Sequence, residues 1–183
     1  MLSSDLIRWS GLGAMIGGVF WVVWSLLYRV SFEAGGGSFA DVLLLLAALL
    51  TLAGLVGLHA QQGVNYGSIG PVGFYTTTVG LLAQALAAVL LLMDFEVLWL
   101  VAPVGSLIVL VGLVLYGAAT LQARVLAPWC GLGLIVIPPI AFYLNSKVFY
   151  GSLALFGVLW VALGYVLWSR RGTPTEARPS RVR

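Results

Sequence analysis

Apolar residues in this chain run in long blocks, interrupted by short polar or glycine-rich breaks. Six uncharged apolar stretches stand out, at 9–30, 41–59, 69–93, 98–121, 127–145 and 150–169. Each is near the roughly 20 residues that a helix needs to cross the hydrocarbon core. Helices are the expected form, because a chain in lipid must satisfy its backbone polar groups internally. A β-barrel would alternate apolar and polar residues within ten-residue segments, and runs such as Leu43-Leu44-Leu45-Leu46 do not alternate. The first stretch has no small-residue cleavage site near its end, so we read it as a retained helix rather than a signal peptide. The pattern predicts an all-α polytopic membrane protein, a bundle of six transmembrane helices over 1–169 followed by a basic tail at 170–183.

Composition agrees. Hydrophobic residues are 61% of the 183 and charged residues 8%, where soluble domains carry about 25% charged residues. So few ionisable groups exclude a soluble domain, a disordered chain and a nucleic-acid-binding protein. They also argue against an enzyme built on a cluster of charged side chains.

Six spans place both termini on one side. That side would carry Arg8, Arg124, Arg170, Arg171, Arg178, Arg181 and Arg183; the other would carry Arg29 and Lys147. The bias predicts an inner-membrane protein with cytoplasmic N- and C-termini. Glu33, Asp41, Asp94 and Glu96 fall on the opposite side. Aromatic belts match: Trp9, Trp129 and Trp168 at the inner ends, Tyr28, Phe95, Trp99, Phe149 and Tyr150 at the outer ends.

Every loop is short, the longest being Ser31–Ala40 and Ala60–Ser68, so no separate soluble module fits between spans. The tail, RRGTPTEARPSRVR, has five Arg and almost nothing apolar. Its composition predicts disorder. It reads as a positive-inside signal, with attraction to anionic lipid as the functional alternative. Cys130, the single cysteine, reads as a small buried residue.

Weak internal similarity exists at an offset of 58 residues: Leu52, Gly54, Leu55, Val56, Ala60 and Gly73 match Leu110, Gly112, Leu113, Val114, Ala118 and Gly131. Trp9-Ser10-Gly11-Leu12-Gly13 also matches Trp129-Cys130-Gly131-Leu132-Gly133. Such matches would suit a bundle of repeated hairpins.

Polar residues within spans are the first places to seek function. Gly70, Gly73, Thr77, Gly80, Gln84 and Ala87 lie at steps of three or four and therefore share one helix face. That face reads as a tight helix–helix seam; the functional alternative is a cavity wall with Gln84 as its donor and acceptor. Thr76 flanks the stripe, and Thr51 is a further hydroxyl in span two. Pro138-Pro139 removes two amide donors mid-span, which predicts a kink or break. Broken helices line binding sites in many transporters. His59 ends span two, followed by Gln61 and Gln62. Alone, it reads as an interfacial structural residue, since metal and haem sites need more ligands. Arg29 with Glu33 and Asp41 reads as an outer-mouth ion pair or as a snorkelling side chain.

The segments Arg8-Trp9-Ser10-Gly11-Leu12-Gly13-Ala14 and LAGLVGLHAQQ (52–62) resemble small uncharacterised multi-pass membrane proteins of actinobacteria and related bacteria, in which a Gly-Leu-His-Ala-x-Gln run ends a helix. The chain departs from them at Gly63-Val64-Asn65, where that group carries basic residues. The resemblance implies no activity and gives His59 and Gln62 added weight.

Three functional expectations follow. The first is a non-enzymatic accessory or scaffolding subunit that packs against a partner membrane protein or a second copy. The second is a small carrier or binder of an apolar ligand (lipid, quinone or pigment), with Gln84, Thr77, Thr76, Thr51, Pro138, Pro139 and His59 as ligand-contact candidates. The third, disfavoured by the distance between His59 and the acidic residues, is an intramembrane lipid-modifying enzyme. No metal site is expected, and the sequence names no cofactor.

Overall fold

The computed structural model describes residues 4–33, 38–63, 67–93, 95, 98–147 and 151–169. They form six α-helices: α1 (Ser4–Glu33), α2 (Ser38–Gln62), α3 (Ile69–Leu92), α4 (Leu98–Ala123), α5 (Pro128–Lys147) and α6 (Leu153–Ser169). Five, α1 to α5, are long and apolar enough to cross a membrane. α6 is apolar and, at 17 residues, shorter; at 1.5 Å per residue it spans about 26 Å.

Helices extend past several predicted edges. α1 begins at Ser4 and runs to Glu33, and α2 runs from Ser38 to Gln62. The loops are therefore shorter than the polar stretches that marked them. Charge ends an apolar run, but it does not end a helix whose backbone bonds still close in the polar headgroup zone. Real stops have backbone causes. Gly63 follows α2 at φ +61°, with its N–H donating to the His59 carbonyl at 3.3 Å. This is the left-handed residue that commonly closes a helix. Arg124 takes the same region after α4, at φ +51°.

Each helix packs on its neighbour in the chain, and α6 returns to pack on α1, so the six close into a ring. The α3–α4, α1–α6 and α1–α2 seams are the most extensive, and α5–α6 is the slightest of the six. α2 also touches α6 across the ring. Neighbours are antiparallel: Gly11 faces Gly164 while Gly18 faces Gly157, and Gly73 faces Tyr116 while Gly80 faces Val109. Both ends of the described chain thus lie at one end of the bundle, here called the terminal end.

Small residues explain the closeness of these seams. On α1 and α6 the facing glycines recur every seven residues, two turns apart. On α3 and α4, Gly73 and Gly80 oppose Tyr116 and Val109, and Gly112 opposes Thr77. Without lipid-driven hydrophobic gain between helices, close backbone approach and the dispersion it permits supply much of the association. The core side chains are Leu55, Leu58, Leu81, Leu113, Tyr116, Leu134, Trp160, Leu163 and Leu167, all buried. Opposite faces carry exposed apolar residues, such as Val72, Tyr75, Val79, Leu82 and Leu86 on α3. An apolar surface of this kind is what a bundle surrounded by hydrocarbon requires.

Candidate functional site

The predicted stripe on α3 is buried along its whole length: Gly70, Gly73, Thr77, Gly80, Gln84 and Ala87. Its partner is α4. Gln84 Nε2 donates to Ser106 Oγ, and Ser106 Oγ donates to the Ala102 carbonyl of its own helix at 2.9 Å. Thr77 Oγ1 donates to the Gly73 carbonyl at 2.8 Å, and Gly112 passes directly against Thr77. Thr76 is half-buried beside this seam. Gln84 and Thr77 therefore serve the α3–α4 contact.

Thr51 is fully buried in a different seam. Its Oγ1 accepts from Trp21 Nε1 at 3.1 Å, joining α1 to α2. Trp21 anchors an edge-to-face aromatic cluster with Trp24 (centroids 5.6 Å apart) and Phe156 (5.2 Å). Phe156 in turn meets Trp160 at 6.2 Å. Trp160 is fully buried, and its indole N–H has no hydrogen-bond partner among the described residues.

At the terminal end His59 stacks on Phe74 of α3, with ring centroids 4.0 Å apart and planes at 25°. One turn on, Gln62 Nε2 donates to Thr120 Oγ1 at 2.9 Å, and Thr120 Oγ1 donates to the Tyr116 carbonyl at 2.8 Å. The Thr120 hydroxyl has one proton, and the carbonyl takes it, so it only accepts from Gln62. That orders the Gln62 amide and leaves its Oε1, also buried, without a partner among the described residues. Residues 62 and 120 stand at the same 58-residue offset as the weak sequence similarity. The network ties α2 to α4 across the ring.

Pro138 and Pro139 do not break α5, which continues from Pro128 to Lys147 through both. Of the expected kink or break, the break is corrected here. Proline's fixed φ suits a helix; the loss is confined to two amide donors and to crowding of the preceding turn. Pro138 is buried and Pro139 half-buried. Below them Gly117 of α4 presses on the Gly131 carbonyl, Leu134 and Ile135. Toward the far end Ser152 Oγ donates to the Ala141 carbonyl at 2.8 Å, pinning the start of α6 to α5.

The sequence-predicted residues thus scatter. Gln84, Thr77 and Thr76 belong to the α3–α4 side, Thr51 to α1–α2, His59 to α2–α3, and the prolines to α5. They do not converge on one opening. Two features lie outside the sequence-predicted set: the paired glycines of α1 and α6, and the Gln62–Thr120 bridge. The seven-residue glycine spacing is a visible signal for the first; for the second the sequence marks Gln62, through the Gly-Leu-His-Ala-x-Gln run, but not its partner Thr120. Among the described residues no group of three or more His, Cys, Asp or Glu is placed to hold a metal ion. Cys130 is fully buried. Asp41 is buried at the far end of the bundle, while the side chains of Arg29, Glu33, Asp94, Glu96 and Lys147, and the tail 170–183, lie outside the described residues. No protein-family model, curated protein or solved structure matches the chain.

Proposed function

We propose that this chain is a non-enzymatic integral membrane protein that serves as an accessory or scaffolding subunit. In this reading it crosses the membrane six times, with both termini in the cytoplasm. One observation carries it: the intramembrane polar side chains most suited to hold a ligand are engaged in joining helices. Gln84 with Ser106, Gln62 with Thr120 and Trp21 with Thr51 each close a contact between two helices. A surface for a partner is available on α5, the least buried of the long spans. Its Trp129, Leu132, Val136, Ile140 and Tyr143 are exposed at helical spacing.

The test is gentle extraction of the tagged full chain from its own membrane, with photo-crosslinkers at Val136 on α5 and, for comparison, at Val79 on α3. A protein captured at fixed stoichiometry, crosslinking from Val136 and not from Val79, is the expected result. A chain that purifies alone, with its full yield and stability, would overturn the subunit reading. Reporter fusions at each loop check the six-span topology.

A second reading, a binder of an apolar carbonyl-bearing ligand such as a quinone, is favoured by one observation, the Trp160 N–H that has no hydrogen-bond partner among the described residues. Buried donors are rarely left unmatched. A quinone that quenches tryptophan fluorescence in the wild type and equally in Trp160→Phe would exclude that residue as its contact.

A further inference from the structure

At the far end of the bundle α6 starts low. Ser152 Oγ donates to the Ala141 carbonyl at 2.8 Å, which sets the start of α6 level with Ala141. From there α5 continues to Lys147, about 9 Å further. On the other side α1 also overshoots. Gly11 lies against Gly164 and Trp168, and Gly18 against Gly157 and Val161. The same seven-residue step places Ser25 beside Ala154, in the first turn of α6. Beyond Ser25, α1 continues to Glu33, about 12 Å further. The first turn of α6 is therefore the floor of a notch between two taller helices. The 30 residues of α1 span about 45 Å against a hydrocarbon core of about 30 Å, so about 7 Å passes each boundary. Ser25 then lies about 5 Å inside the far boundary, just beneath the headgroup region.

Ser25 is 2% exposed, and its Oγ has no hydrogen-bond partner among the described residues. Ser10, Thr77, Ser106 and Thr120 each donate to the carbonyl four residues back; Ser25 makes no such bond. A buried hydroxyl is rarely left unmatched, and this one keeps its proton to donate. The N–H groups of Ala154 and Leu155 are already taken, by the Gly151 and Ser152 carbonyls at 3.1 and 3.0 Å. The start of α6 adds the partial positive charge of a helix N-terminus. The notch thus offers one hydroxyl donor, in a positive field, to one acceptor. Its neighbours are apolar: Trp21 meets both Trp24 and, on α6, Phe156 edge to face.

Charge selects against an anion. Gly17 lies on Thr51, and that antiparallel register sets Asp41 level with Leu27, half a turn from Ser25. Asp41 is buried, and a carboxylate so near disfavours a phosphate or a free fatty acid. A neutral acceptor on an apolar molecule meets no such opposition, and an ester carbonyl near the hydrocarbon boundary is one. We propose that the notch over the first turn of α6 binds the ester carbonyl of a bilayer lipid, which accepts a hydrogen bond from Ser25. The proposal goes beyond the subunit reading and rests on the bundle being membrane-spanning.

The test is native mass spectrometry of the full chain in mild detergent, titrated with diacyl phosphatidylcholine and with its dialkyl ether analogue of the same chain length. The two differ only in their carbonyls. Retention of the ester lipid about fivefold above the ether is expected, the factor that one hydrogen bond contributes. Ser25→Ala should bring the ratio to about one while leaving ether retention unchanged, which a misfolded variant would not do. Ser25→Thr, which keeps the hydroxyl, should preserve the ratio. Ser10→Ala, whose hydroxyl bonds its own helix, should also preserve it. Diacyl phosphatidylglycerol should be retained no better than diacyl phosphatidylcholine.

Equal retention of ester and ether in the wild type, or an unchanged ratio in Ser25→Ala, would each overturn the proposal. Preference for phosphatidylglycerol would also overturn it, since the site would then read charge. Displacement of the ester lipid by an equal concentration of decylquinone, lost in Ser25→Ala, would make the carbonyl that of a quinone and refute the lipid assignment. Alkaline extraction separates the underlying failure: a chain released from membranes refutes the membrane reading, while one that stays but shows no ester preference refutes only the notch.

Discussion

Placing a methyl group in the seam that closes the ring is the sharpest test of this architecture. A Cβ at Gly18 would lie 2.5 Å from the Gly157 carbonyl oxygen and 2.7 Å from the Val161 nitrogen, both backbone atoms. Ordinary contact begins near 3.4 Å, so α1 and α6 would have to part by about 0.9 Å. Overpacking of this kind costs about 1–3 kcal/mol. Against it stands the gain of about 0.5–1 kcal/mol from replacing glycine by alanine within a helix. Gly18→Ala should therefore destabilise by about 1–2 kcal/mol. Gly13 is the control on the same helix. Its Cβ would meet nothing closer than Ala53 Cβ at 3.7 Å, an ordinary contact, so Gly13→Ala should keep the helix-propensity gain of up to about 1 kcal/mol. The two variants should differ by about 2–3 kcal/mol, roughly 30- to 160-fold in the unfolding equilibrium. The assay is reversible unfolding in mixed micelles with rising dodecyl sulfate fraction. Finding Gly18→Ala as stable as Gly13→Ala would refute the seam.

Other expectations use the same assay. Gln84→Leu removes the bond to Ser106, which keeps its bond to Ala102; a loss of about 0.6 kcal/mol, at most about 1.7, is expected for such an intramembrane bond. A Gln62→Leu and Thr120→Val double-mutant cycle should return a coupling of similar size, and a coupling of zero would dismiss the α2–α4 bridge. His59→Phe should preserve the stack on Phe74, whereas His59→Ala should lose about 0.5–1.5 kcal/mol; equal stability of the two would show that the stack contributes nothing. Pro138→Ala restores an amide donor to a helix that is already continuous through the position, so it should be neutral or stabilising by up to about 3 kcal/mol. Strong destabilisation would contradict the continuous α5.

Much of the local pattern was legible because lipid makes simple demands. Long apolar blocks have to be helices, and the spacing of Gly70, Gly73, Thr77, Gly80, Gln84 and Ala87 put them on one buried face before any partner was known. Of the kink or break that the double proline predicts, the break does not occur, because the rule for proline reports missing donors and not how far a helix continues once its neighbours hold it. The candidate site was less legible. A polar residue within a span announces that it needs a partner, and Gln84, Thr51 and Gln62 all need one. Whether that partner is a ligand or another helix depends on what lies opposite. Here the residues opposite are Ser106 and Thr120 of α4 and Trp21 of α1.

Helix number, the buried stripe on α3 and the expected charge bias between the two ends follow from residue type and spacing, since burial in lipid acts on each span separately. Which stripes meet is another matter. Gly11 and Gly18 face α6 rather than α2 because a closed ring lets the first and last helices bring glycine to glycine in antiparallel register. That match depends on residues more than 130 positions apart. No local rule orders such distant contacts; close packing of the whole bundle does.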